Sequence, residues 1–424
     1  MARLIYTLLF YSLLPLIILR LLWRSRRAPR YRKRWGERFG FVKESFTGQK
    51  IIWLHSVSVG ETLAAVPLVK AIQTRYPQHR LLVTTMTPTG SERVKAAFGD
   101  SVSHNYAPYD LPDALARFLG RVRPELLIIM ETELWPNTIA ACHKRGVPVV
   151  LANARLSEKS ARGYRQLHWI TSLMLQQLQC VAAQHRDDAR RFQELGLNSD
   201  RITITGNIKF DLALGEELKL QSQQLAEQWR GDRQRPILLA ASTHQGEDEM
   251  ILNAFGVLKK DLPELLLVLV PRHPERFNEV AGLCISQGFT VARRSDIHAE
   301  VSQMDILLGD TMGELMMFFG ACDVAFVGGS LVPTGGHNVI EPAAWGKPIV
   351  TGPHLFNFAE ASRLLQDNQA MLVCSDAEQL AEQIARLFQE SDTRKQMGQA
   401  ARQVAEANRG ALDRLLAVIA QMLC

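Results

Sequence analysis

The chain has 424 residues, 47% apolar and 22% charged, a length and balance that suit two folded domains and exclude a disordered chain. The formal charge is +6, but the first 38 residues hold +9 of it, which leaves the remainder at −3. A nucleic-acid-binding protein would carry a basic groove with interleaved aromatics in its folded part, and no such pattern is present here. The six cysteines (Cys142, Cys180, Cys284, Cys322, Cys374, Cys424) are scattered, with no CxxC pair and no Cys/His cluster at zinc-ligand spacing. They read as reduced, mostly buried thiols of a cytosolic body.

The segment Leu4–Leu19, LIYTLLFYSLLPLIIL, holds no charge. With Arg20 snorkelling and LLW following, the apolar stretch reaches about 20 residues, enough to span a bilayer. A secretory signal has its basic residues before the apolar core and a small-residue cleavage site after it. Here the basic stretch RSRRAPRYRKRWGER (24–38) follows the core, and no A-x-A appears. The positive-inside rule then keeps that stretch, and the body behind it, cytoplasmic. A spanning or deeply inserted anchor is predicted, with a helix lying in the interface as the alternative. The basic stretch suits an anionic membrane surface, at about 1 kcal/mol per residue, although plain topology explains it equally.

Beyond the anchor, short apolar runs (KIIWLHS, HRLLVTTM, PELLIIM, VPVVLAN) alternate with segments of helical spacing (ETLAAVPLVKAIQTRY, SERVKAAF, LPDALARFLGRV). Such alternation predicts a parallel sheet covered on both faces. It continues through CVAAQ, ARRFQELGL and RITITGNIKFD. Residues 213–235 are polar and Gln/Glu-rich, and read as a helical or loose connector. A second series follows, with PILLAAS, ELLLVLVPRH, DILLGD, CDVAFVGGS, KPIVTG and AMLVCS as its strand-like runs. The fold class is therefore α/β, two doubly wound Rossmann-like domains joined near residues 213–235.

Parallel sheets bind ligands at the carboxyl ends of their strands, so polar residues just after strands are the candidates. HSVSVGE follows the first run, with Ser56 and Ser58 able to cap a helix and Glu61 in its first turn. Alone, Glu61 is explained as a complement to the helix dipole, worth about 0.3–1 kcal/mol. METELWPN places Glu131 and Glu133 after a strand, where a carboxylate is a poor core residue and a good polar-ligand residue. ITGNIKFD adds Lys209 and Asp211 after Asn207. In the second half, AASTHQGEDE offers Ser242, Thr243 and Gly246, and VPRHPER offers Arg272 and His273. GDTMGEL presents backbone amides at a helix start. Residues 326–354 carry six glycines (328, 329, 335, 336, 346, 352), a density that predicts main-chain N–H groups closing on a phosphate, with Glu341 placed to bond ribose hydroxyls. No GxxxxGK[ST] occurs, and no GxGxxG follows the first strand of either half, which speaks against kinase and dehydrogenase readings. No Asp-x-Asp stands at a strand end, so a metal-independent reaction is preferred.

HSVSVGE, ETELWPN, NARLSEKS, GNIKFD, ASTHQGED, PRHPERF, DTMGEL and GGHNVIEPAAWGKPIVTGP, in this order, resemble the signature blocks of the 3-deoxy-D-manno-octulosonic acid (Kdo) transferase family, bacterial enzymes that glycosylate the lipid A precursor. The resemblance implies a GT-B fold, two Rossmann-like domains facing a cleft, with an N-terminal membrane-anchor helix. The implied division is 1–40 anchor and basic segment, 41–212 acceptor-binding domain, 213–235 linker and 236–424 donor-binding domain. Whether the last helix (about 395–424) returns to the first domain is left open. It implies CMP-Kdo as donor and the tetraacyl lipid A precursor (lipid IVA) as acceptor, with inversion at the anomeric carbon and neither metal nor cofactor. The implied location is the cytoplasmic face of the inner membrane. By the same match Glu61 is the general base, kept ionised by its helix N-terminus, and Glu131 and Lys209 are the other active-site positions. Pro271, Arg272, Met312, Gly313, Glu314, Asn338, Val339, Ile340 and Glu341 fall on the CMP-binding positions, and His337 beside them has no assigned role. The rival readings are a UDP-sugar enzyme of the same fold, a tethered nucleotide-binding protein without turnover, and a nucleotide-sugar epimerase.

Overall fold

The computed structural model describes residues 2–27, 29–232, 234–296 and 300–423. It forms two compact units, Met1–Asp211 with Arg409–Cys424, and Leu212–Asn408. The five cysteines within the described residues are free and buried, and Cys424 lies outside them.

In the first unit, β1 (Lys50–His55), β2 (His79–Thr85), β3 (Ser103–Tyr106), β4 (Leu126–Met130), β5 (Val149–Ala154), β6 (Cys180–Ala183) and β7 (Ile202–Ile204) pair in the order β3-β2-β1-β4-β5-β6-β7. All the pairings are parallel. The central strands read as unbroken apolar runs because both faces are covered: Leu54 sits opposite Val83 on one side and Ile128 on the other, and is fully buried. In the second unit, β8 (Ile237–Thr243), β9 (Leu266–Pro271), β10 (Val291–Arg293), β11 (Ile306–Leu308), β12 (Val324–Val327), β13 (Ile349–Thr351) and β14 (Met371–Val373) pair in the order β10-β11-β9-β8-β12-β13-β14, again parallel. Two strands escape the apolar-run pattern, β3 (SHNY) and β10 (VAR), and both are edge strands with only one neighbour.

The segment 213–235 is not a loose tether. It holds the helix Glu216–Arg230, whose Leu225 and Trp229 are buried in the core of the second unit. Trp229 packs on Phe318 at 5.3 Å, and Arg230 forks onto Asp323 at 2.6 and 3.0 Å. Its Gln/Glu richness lies on the solvent side of an amphipathic helix.

The last helix, Ala411–Ala420, belongs to the first unit. Ala411, Leu415, Leu416 and Ile419 join the same core cluster as Ile52 and Leu54. Asp211 fastens it by accepting from the Gly410 and Leu412 N–H groups, and Arg414 Nε donates to the Thr205 carbonyl at 2.8 Å. The acid that the strand-end reading noted is thus a helix cap.

The N-terminal helix Ala2–Arg27 is about 39 Å long and apolar enough to cross a membrane. One face nevertheless docks on the first unit. Phe10, Leu14 and Ile17, spaced i, i+4, i+7, pack against Tyr109, Leu111 and Ala114. Thr7 Oγ1 bonds the Asn137 side chain at 3.0–3.1 Å, and Tyr11 donates to Asp113 Oδ1 at 2.6 Å. Leu4, Leu8, Leu9, Leu13, Leu16 and Leu19 remain exposed. Nor is the basic stretch uniformly free. Arg38 is 2% exposed, lies 4.3 Å over the Tyr106 ring and donates to the Met86 carbonyl, while Arg34 pairs with Glu37 at 2.6 Å. Arg24, Arg26, Arg30, Arg32, Lys33 and, in part, Arg34 face solvent.

Asp211→Ala should lower stability by about 1–2 kcal/mol, since it removes the acceptor for two N–H groups at the start of the last helix. A thermal or urea melt checks this, and an unchanged midpoint would mean the cap carries no weight.

Candidate active site

In the first sheet the strand order reverses between β1 and β4, and the loops leaving their carboxyl ends open a place for ligands. HSVSVGE leaves β1. Ser58 caps the helix Val59–Arg75: its Oγ accepts from the Glu61 N–H at 3.2 Å and donates to Glu61 Oε1 at 2.7 Å, while Oε2 accepts from the Val57 N–H at 2.7 Å. This fixes the carboxylate yet uses two of its roughly four lone-pair sites. Glu61 is buried, and that burial pushes its carboxyl above the ordinary range; the bonds from Ser58 and Val57 oppose the shift and the charge of Glu131 adds to it. Desolvation therefore outweighs the bonds from Ser58 and Val57 and makes the carboxylate more basic than an ordinary one. His55, in the same stretch, is a core residue: burial lowers it to about 4, and Nδ1 bonds Thr84 Oγ1 at 2.9 Å.

Glu131 leaves β4 in a left-handed conformation, φ +57°, a strained choice for a side chain of this kind. Its Oε1 meets Lys209 Nζ at 3.2 Å, with both side chains about a quarter exposed (28% and 26%). Lys209 stands on the turn Ile208–Phe210 after β7. Asn153, also left-handed at φ +53°, holds that turn by accepting from the Ile208 N–H at 3.1 Å. Glu133 completes the group. Burial, then the charges of Glu61 and Glu131, push it up to about 7. Three carboxyls and one ammonium thus converge, and the surplus of negative charge is relieved by retaining a proton.

In the second sheet the order reverses between β8 and β12. Glu247, fully buried at the start of the helix Glu247–Asp261, accepts four main-chain N–H groups: His244 and Gly329 on Oε2 (2.9 and 2.6 Å), Ser330 and Leu331 on Oε1 (2.9 and 2.8 Å). This corrects the reading of the glycine-rich stretch, because the amides at 329–331 are occupied by a carboxylate and not open to a phosphate. Gly328 is there for packing: a Cβ would lie 2.8 Å from the Ser242 carbonyl oxygen.

Pro271 ends β9, and Arg272 follows it with its N–H on the Thr243 carbonyl at 2.9 Å. Asn338 donates to Glu341 Oε1 at 3.0 Å and accepts from the Ile340 N–H at 3.1 Å. Burial raises Glu341, against the Asn338 bond and the Arg272 charge. The structure therefore gathers Arg272, Asn338 and Glu341. Val339 and Ile340 have fully buried side chains, so they reach a ligand through their main chain only. Met312, Gly313 and Glu314 lie at the end of β11, the strand beside β9, with Met312 68% exposed. Burial pushes Glu314 up, but the Arg294 fork (2.8 and 3.2 Å) and the Thr311 hydroxyl outweigh it and hold the carboxyl low.

A family model of 3-deoxy-D-manno-octulosonic-acid transferase matches residues 33–212, and one of glycosyl transferases group 1 matches residues 240–404. The 3-deoxy-D-manno-octulosonic acid transferase of Haemophilus influenzae is 46% identical, over 98% of this chain and 97% of its own length. The chain belongs to the Kdo transferase family. It is a glycosyltransferase. The Bordetella pertussis Kdo transferase is 38% identical over 98% of each chain. Among solved structures, the UDP-GlcNAc 2-epimerase from Neisseria meningitidis aligns with TM-score 0.58 over 88% of this chain and 100% of that one, at 14% identity, a likeness of GT-B-type fold alone.

Glu133 is a strand-end candidate beside Glu131, on the same signal of a carboxylate after a buried strand. Glu247 lies in a quoted block without being singled out; its signal, an acid at a helix start, is indistinguishable in sequence from a dipole complement.

A carboxyl raised from 4.5 to about 7 on folding stabilises the fold below its ordinary value and loses that contribution as pH rises through about 7. Glu133→Gln should therefore melt above wild type at pH 8, by a margin that shrinks toward pH 5; equal margins would mean Glu133 titrates as an ordinary carboxylate. Glu247→Ala strands four N–H groups and should cost about 3 kcal/mol or more, read as a lower melting midpoint.

Proposed function

We propose that the chain transfers Kdo from CMP-Kdo to the tetraacyl lipid A precursor (lipid IVA) in lipopolysaccharide synthesis, with inversion and without a metal, and that Glu61 is the base. The observation that carries this is the group formed by Glu61, Glu131, Glu133 and Lys209 at the β1/β4 reversal of a Kdo transferase. Glu61 is held by its own turn, with lone pairs to spare and a carboxyl more basic than an ordinary one. In the proposed reaction it takes the proton of the acceptor hydroxyl. The hydroxyl oxygen bonds the anomeric carbon, and the bond from that carbon to phosphate breaks with its electron pair going to CMP. Lys209, balanced by Glu131, offers positive charge to the sugar's carboxylate, and Arg272 offers it to the phosphate of the donor.

The proposed location is the cytoplasmic face of the inner membrane. The docked face of the N-terminal helix and its bonds to Asn137 and Asp113 favour the interfacial alternative over an isolated span, with the exposed leucines directed to lipid. The solvent-facing part of the basic stretch then meets an anionic surface.

Protein purified in detergent and incubated in EDTA with fresh CMP-Kdo and lipid IVA should give a product heavier by one or more Kdo units in a mass spectrum. Glu61→Gln should lower the rate at least about 100-fold while CMP binding and melting persist. Turnover by that variant near the wild-type rate would remove Glu61 from the role of base, and competition by UDP in place of CMP would overturn the donor.

A further inference from the structure

His244 follows β8 and His337 lies in the loop after β12, so both stand at the reversal of the second sheet. Their Nε2 atoms are 2.8 Å apart, and their rings are nearly coplanar in orientation (11°) with centroids 5.0 Å apart. His273, next to Arg272, meets His244 edge-on at 5.2 Å. The loop is built around this contact: Gly329, at φ +67°, is where a Cβ would come within 2.9 Å of the His337 ring.

Only one hydrogen fits between two nitrogens at this distance. In the neutral pair, one ring carries its hydrogen on Nε2 and the other must carry it on Nδ1. The pair can accept one further proton, and the resulting cation keeps a single shared hydrogen between the rings. Two imidazolium rings cannot face each other in this way. The surroundings decide whether that proton is taken. Burial, Arg272 and His273 oppose it for both rings, and Arg276, itself bonded to Asp248 at 2.6 Å, opposes it for His244. Glu247 favours it, but that carboxylate is spent on four amides. Glu341, also within reach of Arg272, is raised by burial. With no anion bound, the pair is therefore neutral, with His337 lowered to about 4.

An anion beside Arg272 reverses that balance, because it offsets the one strong positive charge felt by both rings. We propose that the His244–His337 pair takes up one proton from solvent when a nucleoside monophosphate binds beside Arg272, giving the donor unit a second positive charge only in the bound state. This rests on the CMP reading given above. The donor's phosphodiester carries one negative charge, and the released nucleotide is a phosphate monoester close to −2 at neutral pH. A pair that charges in response to phosphate thus favours the state in which the anomeric bond has broken and its electrons have gone to CMP.

The test is histidine 13Cε1 NMR of the full-length protein in detergent, with and without saturating CMP, between pH 5.5 and 8. His244→Gln and His337→Gln assign the two resonances; the Gln amide at 337 can still donate to its neighbour. Without CMP both rings should stay neutral across the range. With CMP, one proton shared by the two rings should appear within this range, its affinity at least about a hundredfold higher, or about two pH units. The His337→Gln variant should lose the matching rise in CMP affinity at low pH. Bound CMP with both rings still neutral would overturn the proposal, as would a pH-dependent rise in affinity that survives in both variants. Absence of CMP binding by wild type would instead overturn the donor reading, and this proposal with it.

Discussion

The constraint on which the rest depends is the reversal of strand order, between β1 and β4 in one unit and β8 and β12 in the other. Right-handed crossovers send the chain to opposite faces of the sheet on either side of such a point, so the loops leaving the two strands diverge. The backbone there cannot continue the ladder, and its polar groups must be satisfied by side chains or left for a ligand. In the first unit the answer is a capping box, in which Ser58 and Glu61 satisfy each other's turn. In the second it is a buried carboxylate, Glu247, that collects four amides. Both units thus place a glutamate in the first helical turn after their first strand. One is committed to its loop, and the other keeps capacity for chemistry.

This difference explains why the fold was more legible in the sequence than the site. Strands buried on both faces announce themselves as apolar runs, and PELLIIM and ELLLVLVP could be placed without any structure. The edges β3 and β10 could not, because a strand with one neighbour needs no such run, and SHNY has none. The return of the last helix to the first unit rests on Asp211 and Arg414, contacts about 200 residues apart in sequence (199 and 209), and no local pattern encodes them. Residues 213–235 read as a helical or loose connector; the helix is present, but composition hides its place in a core, because Trp229 and Leu225 are few among many Gln and Glu.

At the site itself, residue type was visible and partnership was not. Glu61, Glu131 and Lys209 were identifiable from position and family blocks. The left-handed backbone turns Glu131 toward Lys209 and lets Asn153 hold the lysine's turn; asparagine tolerates that conformation and hints at it, whereas a glutamate gives no such sign. The six glycines predicted phosphate binding because glycine-rich loops often do that. Here Gly328 and Gly329 instead allow the chain to pass Ser242 and the His337 ring, and the freed amides point at Glu247. A glycine count cannot separate a loop that grips an anion from one that grips a carboxylate of its own chain, since both present the same N–H groups.

The two units differ in the charge they hold in reserve, and the difference matches the proposed chemistry. Burial makes Glu61 and Glu133 more basic than ordinary carboxyls, which suits the proposed uptake of a proton from a hydroxyl. His244 and His337 are both pushed down by burial and by Arg272, so the second unit holds rings that become cationic only against added negative charge. In glycosyl transfer a proton leaves the acceptor oxygen and negative charge arrives on the leaving phosphate. Each unit is poised for one of those two changes: the first with carboxylates more basic than ordinary ones, the second with rings held neutral until phosphate arrives. Fixed charges in both places would stabilise bound substrates as strongly as the transition state; groups that titrate with the reaction stabilise the later state more.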